Sequence, residues 1–132
     1  MRCFLPVLTT ALLAACGGAH NASTPAAAGT GTANASAGGE QAFAMCSACH
    51  SRNAGGAQRM GPNLHGVVGR KAGSNPGFAY SPALRDSGIV WDAQSLDAYL
   101  AAPAQLVPGT RMVMSVPDAA RRKALVEYLS AP

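Results

Sequence analysis

The stretch Cys46-Ser47-Ala48-Cys49-His50, inside GGEQAFAMCSACH (38–50), decides how this chain is read. A bare C-x-x-C suits a thiol–disulfide pair or half a zinc site. His50 directly after Cys49 narrows the choice, because C-x-x-C-H is the pattern by which a c-type haem is attached. The chemistry explains the spacing. Two thiols on one helical turn reach the two vinyl groups of one porphyrin edge and form thioethers, and the next residue brings its imidazole over the iron. No second C-x-x-C exists to complete a zinc site, and a thioredoxin-like fold requires a strand where Glu40 to Met45 reads as helix. The expected cofactor is therefore one haem c per chain, covalent through Cys46 and Cys49, with His50 as a metal ligand.

N-terminal to this motif, the chain begins MRCFLPVLTTALLAACG. One Arg, Arg2, precedes an apolar run from Phe4 to Ala15 that is too short to span a bilayer and reads as a signal peptide over 1–15. The ending Leu13-Ala14-Ala15-Cys16-Gly17 resembles a bacterial lipobox, which implies cleavage before Cys16 and acylation of its thiol. Several acyl chains on one residue hold a protein firmly at a membrane, whereas a single chain does so only marginally. Residues 17–38 contain no large apolar side chain and neither Lys, Arg, Asp nor Glu. Such a segment does not offset its ordering entropy by burial, so 16–38 is expected to be a lipid-anchored Cys and flexible linker. The expected address is the bacterial periplasm, tethered to a membrane by lipidated Cys16.

What remains, 39–132, has room for one compact domain. Of the chain's residues 48% are hydrophobic, much of that alanine, and only 5% are aromatic, so side chains alone make a thin core. Something else has to fill it. No apolar run approaches the roughly 18 residues of a membrane span. The domain holds nine of the ten basic residues and all six acidic ones, a net +3 spread along the chain. That pattern argues against nucleic-acid binding and against strong polycationic steering.

A haem iron that carries electrons takes a second axial ligand, for which the domain offers Met45, Met60, His65, Met112 and Met114. Met45 sits too near the attachment turn, and Met60 and His65 fall in the loop that has to wrap the proximal side. Met112 and Met114 follow Pro103, Pro108 and Gly109, which suits a loop crossing the distal face. Periodicity does not choose between them.

The ordered series GEQAFAMCSACH (39–50), GPNLHGVVGRKAG (61–73), PGFAYSPAL (76–84), GIVWD (88–92), LDAYLAAP (96–103), VPGTRM (107–112) and AARRKALVEYL (119–129) resembles the class I cytochromes c of the mitochondrial and bacterial soluble type. The resemblance covers the whole domain. It implies an all-α fold, the small class I cytochrome c fold wrapped around one covalently bound haem c. It assigns the axial thioether to Met112 and leaves Met114 as packing. It implies that the Pro62 carbonyl accepts the Nδ1–H of His50, which fixes the tautomer. Arg70, Tyr80 and Trp91 match residues that satisfy the haem propionates, whose burial without partners is costly. Tyr99 and Thr110 match residues beside the Met sulfur. Leu84 departs from the mitochondrial form, which has an asparagine there, so a drier pocket with fewer donors is expected.

Helices are expected over Gly39 to Ala48, Ser81 to Asp86, Ala93 to Ala101 behind Asp92, and from about Ser115 to the C-terminus with Asp118 in its first turn. With both axial positions filled, the implied function is a monohaem, one-electron carrier cycling Fe(III)/Fe(II), not an enzyme. The implied donor is a quinol-oxidising complex or dehydrogenase, and the implied acceptor a terminal oxidase or peroxidase, with the carrier a monomer. The competing readings are a dedicated electron-transfer module of a dehydrogenase, a donor to a peroxidase, or a haem gas sensor with a labile Met112 loop.

Overall fold

In a computed structural model of the chain, residues 30–131 are described, with side chains from 37 onward. The signal peptide, Cys16 and the linker as far as 29 lie outside the described residues. Five helices follow one another: α1 (Thr30–Phe43), α2 (Pro82–Asp86), α3 (Ala93–Ala101), α4 (Pro103–Leu106) and α5 (Ala119–Ser130). The fold is all-α. Among the described residues, strand-like pairing is confined to one antiparallel bridge between Lys71 and Val90.

The expected helix at Gly39 to Ala48 is shifted towards the N-terminus. It starts at Thr30 and its ladder stops at Phe43, so 30–38, read as flexible linker, forms the first part of α1. Alanines at 33, 35 and 37 supply helix propensity that a search for large apolar residues passes over. After Phe43 the chain tightens into turns, with Cys46 N–H and Ser47 N–H both bonded to Phe43 O.

α3 matches its expected bounds. The Asp92 carboxylate accepts from Ser95 N at 2.7 Å while the Ser95 hydroxyl accepts from Asp92 N at 2.9 Å, a reciprocal pair that satisfies two helix-end donors. α2 starts one residue later than read. Ser81 is its cap, and Pro82 occupies the first turn, where a missing N–H costs nothing. α4 was not anticipated, because Pro103 reads as a helix end and here also begins the next short helix.

α5 begins at Ala119 rather than near Ser115, capped by Asp118, whose carboxylate accepts from Arg121 N at 2.7 Å. Pro117 biases Val116 towards extended backbone, and Val116 N–H donates instead to Leu100 O at 2.7 Å. Arg122 ties α5 to α3 through Asp97 at 2.8 Å and also donates to the Val116 and Pro117 carbonyls.

α1 and α5 pack directly on each other. Phe43 meets Tyr128 with ring centroids 5.6 Å apart, and Leu125, fully buried, lies in the same cluster as Ala42, Leu96, Leu100 and Leu129. Gly39 sets the approach, since a Cβ there would stand 2.5 Å from Tyr128 Cβ. Arg52 covers the same tyrosine. Its guanidinium lies 4.0 Å from the Tyr128 ring centroid and donates to the carbonyls of Tyr128 and Ala131 at the end of α5.

Replacing Gly39 by Ala forces these helices apart and should destabilise the haem-loaded protein by about 1–3 kcal/mol, as overpacking does. The check is its thermal unfolding midpoint. An unchanged midpoint would show that the helices have room to separate.

Candidate haem-binding site

The turns after α1 keep the attachment motif on one side. His50 N–H bonds to Cys46 O at 2.9 Å, a helix-type closure that stacks His50 above Cys46, and Cys49 N–H bonds to the same carbonyl at 3.0 Å. Neither thiol is in a disulfide. Among the described residues no three His, Cys, Asp or Glu side chains converge to hold a metal ion, so the zinc alternative finds no ligand set there. Burial pushes the Cys46 thiol above its ordinary pKa, offset in part by the nearby Arg121 guanidinium and reinforced by Cys49.

All three motif side chains open on one large cavity of about 530 Å³ whose wall is mainly apolar. His50 reaches it with a defined tautomer. Its Nδ1 lies 2.8 Å from Pro62 O, and a carbonyl only accepts, so Nδ1 carries the proton and Nε2 keeps its lone pair. Burial lowers the His50 pKa, opposed by the bond to Pro62, which favours the neutral ring that a metal ligand has to be. Gly61 makes room for it: a Cβ there would sit 2.2 Å from His50 Cε1.

The loop between α4 and α5 supplies the thioethers. Met112 is half-buried and packs against the core, whereas Met114, expected as packing, is 52% exposed although it also lines the cavity. Thr110 N–H is tied to Val107 O and Val116 N–H to Leu100 O, so the segment between them is held at both ends, and within it Met112 N–H is also drawn back towards Thr110 Oγ1. Tyr99 Oη and Thr110 Oγ1 are 2.5 Å apart, and Thr110 Oγ1 accepts a long bond from Met112 N at 3.4 Å. Burial raises the Tyr99 pKa, with the Thr110 bond opposing it, and either hydroxyl of the pair can be the donor.

Arg70, Tyr80 and Trp91 line the cavity together. Trp91 stacks at a tilt on Tyr99 with centroids 5.0 Å apart. Burial raises the Tyr80 pKa, while Arg70 and a backbone bond from Asn75 work the other way. Arg70 is anchored by two backbone carbonyls, Asn63 O at 3.0 Å and His65 O at 3.1 Å. Leu84 presents an apolar wall, as expected. The other candidate ligands are placed differently. His65 is exposed and does not line the cavity, Met45 packs against the core at its wall, and Met60 lies at the mouth, 84% exposed, its sulfur 3.9 Å from Cys49 Sγ.

The wall suits a flat apolar macrocycle with two carboxylates. Its formally charged side chains are Arg70, Lys71 and Arg111, with no Asp or Glu among them, and Arg111 is steadied by Ala79 O at 3.1 Å. Sequence reasoning did not single out Lys71, Arg111, Gly61 or Asn63. Gly61 and Asn63 lie within the quoted GPNLHG segment, but their roles depend on close contacts that no spacing rule encodes.

The cytochrome c family profile matches residues 36–131. The chain belongs to the cytochrome c family. Among its relatives, a cytochrome c2 of Rhodoblastus acidophilus is 43% identical over 93 residues, which are 70% of this chain and 87% of that protein. A cytochrome c2 of Rhodomicrobium vannielii is 49% identical over 75 residues, 57% of this chain and 60% of that one. Among solved structures, cytochrome cH from Methylobacterium extorquens superposes with a TM-score of 0.66 at 44% identity, covering 71% of this chain and 95% of the other. This cytochrome is a monohaem c-type protein that carries one electron at a time and carries its haem c covalently.

Gly61→Ala is expected to push the His50 ring off Pro62 and to lower the yield of covalently loaded cytochrome. Haem staining against total protein measures this, and a native yield would mean that the loop moves aside.

Proposed function

We propose that this cytochrome is a lipid-anchored, monomeric carrier of the bacterial periplasm, with His50 and Met112 as the axial ligands of its haem. In this reading it takes electrons from a quinol-oxidising complex or dehydrogenase and gives them to a terminal oxidase or peroxidase. The observation that carries the ligand assignment is that a neutral His50, its Nδ1 already committed to Pro62, and the half-buried thioether of Met112 share one cavity with Cys46 and Cys49.

Haem, when bound, supplies the reversible Fe(III)/Fe(II) couple. The chain's own residues do the rest. Cys46 and Cys49 fix the macrocycle by its edge, so the carrier keeps its cofactor outside the cell interior. His50 and Met112 would hold the iron, leaving no open position for dioxygen or peroxide, and a thioether ligand would raise the potential. Arg70, Tyr80 and Trp91 neutralise or hydrogen-bond the propionates, and Tyr99 with Thr110 holds the Met112 loop. The lipobox-like Leu13-Ala14-Ala15-Cys16 supports the anchor. A tether confines the search for partners to the membrane surface and so raises effective concentration.

Met112→Ala should lower the midpoint potential and let the reduced protein bind carbon monoxide, seen as a shift of the Soret band. Native potential and no shift would remove Met112 as a ligand. Cells grown with labelled palmitate should label the native cytochrome but not its Cys16→Ser variant, and an unlabelled native protein would refute the lipid anchor.

A further inference from the structure

We propose that Asn63, which does not itself line the haem cavity, is the positioning residue that holds the Pro62 carbonyl against His50 and so sets the donor strength of that imidazole. The inference rests on His50 being an axial ligand, as proposed above.

Asn63 is 8% exposed and is the hub of the loop that follows the attachment motif. Its Nδ2 has two hydrogens and is shared among three acceptors: Ser51 Oγ at 2.8 Å, Gly56 O at 2.9 Å and Asn53 O at 3.0 Å. Its Oδ1 accepts from His65 N at 2.7 Å. Its own carbonyl accepts from Arg70 Nη2 and Asn75 Nδ2, each at 3.0 Å. The loop closes tightly on this amide, since a Cβ on Gly56 would lie 2.7 Å from Nδ2.

Pro62 has no N–H with which to anchor itself. Its carbonyl is therefore placed by its neighbours. On one side Gly61 N–H holds Cys49 O at 2.8 Å, and on the other Leu64 N–H holds Ser51 O at 2.8 Å. Between them stands Asn63, whose side chain reaches residues 51, 53, 56 and 65. The same network thus fixes the segment before Pro62 and the segment after it to the strand of chain that carries His50. A carbonyl held on Nδ1–H gives the imidazole more electron density for the metal. Loosening it weakens that donation, and less donation disfavours the oxidised state, so the potential should rise.

The test uses ¹⁵N-labelled, haem-loaded protein in the reduced state, with exchange of the His50 Nδ1 proton followed by NMR and the midpoint potential measured alongside. Asn63→Ala should accelerate that exchange by about tenfold or more and move the potential upward. Ser51→Ala, which removes one of the three acceptors, should do the same to a smaller degree and decides the matter if Asn63→Ala loads no haem. Gln58→Ala serves as the structural control. It breaks a bond from the same loop to Pro76 O and should leave the Nδ1 exchange as in the native protein. Native exchange and potential in the Asn63 and Ser51 variants, with only a lower unfolding midpoint, would overturn the proposal. Absence in the native protein of ring-current-shifted His50 signals would overturn the ligand reading and this proposal with it, a result distinct from native-like variants.

Discussion

The hydrogen bond from His50 Nδ1 to Pro62 O, at 2.8 Å, joins the attachment motif to the loop that follows it. It determines which nitrogen of His50 carries the proton, and therefore which nitrogen is free to meet a metal. Much of the nearby structure serves that one contact. Gly61 clears the space for the ring, Gly61 N–H and Leu64 N–H lace the loop back to residues 49 and 51, and Arg52 locks the same stretch onto the end of α5. The turn that carries His50 is thus bound at once to the cavity wall and to the helix pair that closes the fold.

The second constraint is volume. The large side chains form a shell: Phe43 with Tyr128, Leu125 and Leu129 on one side and Trp91 with Tyr99 on another, with Leu125, Leu129, Trp91 and Tyr99 bounding a large cavity. A domain this small has little apolar surface to bury without its cofactor, and a macrocycle in this cavity would supply the missing buried surface. Lys71, Arg70 and Arg111 at the wall, with no acid beside them, make the same cavity hospitable to propionates. Packing and electrostatics therefore favour the same occupant.

Much of this was legible in the sequence, and for identifiable reasons. The five residues from Cys46 to His50 encode a covalent geometry, and Asp92 three residues before Ser95 encodes a helix start, because both signals are local in the chain. Boundaries were harder. The start of α1 rests on small alanines that carry no amphipathic pattern, α4 turns Pro103 from a stop into a start, and the start of α5 was set by Pro117 and the long-range bond from Val116 to Leu100. Spacing does not distinguish Met112 from Met114; the resemblance favours Met112, and in the structure Met112 packs partly buried against the core while Met114 is more exposed. Asn63 was invisible as a hub because its partners are backbone carbonyls, and any residue type supplies those.

Everything proposed for this cytochrome's electron transfer depends on the haem having two protein ligands, one of them a thioether. Spectroelectrochemical titration of the haem-loaded protein, recorded with and without carbon monoxide, tests this most directly. The account predicts a reversible one-electron wave at a clearly positive potential, a methionine–iron charge-transfer band in the oxidised form and no spectral response to carbon monoxide. A low potential, no such band and ready carbon monoxide binding would contradict it, and would make the loop around Met112 a gas-binding or reactive site instead.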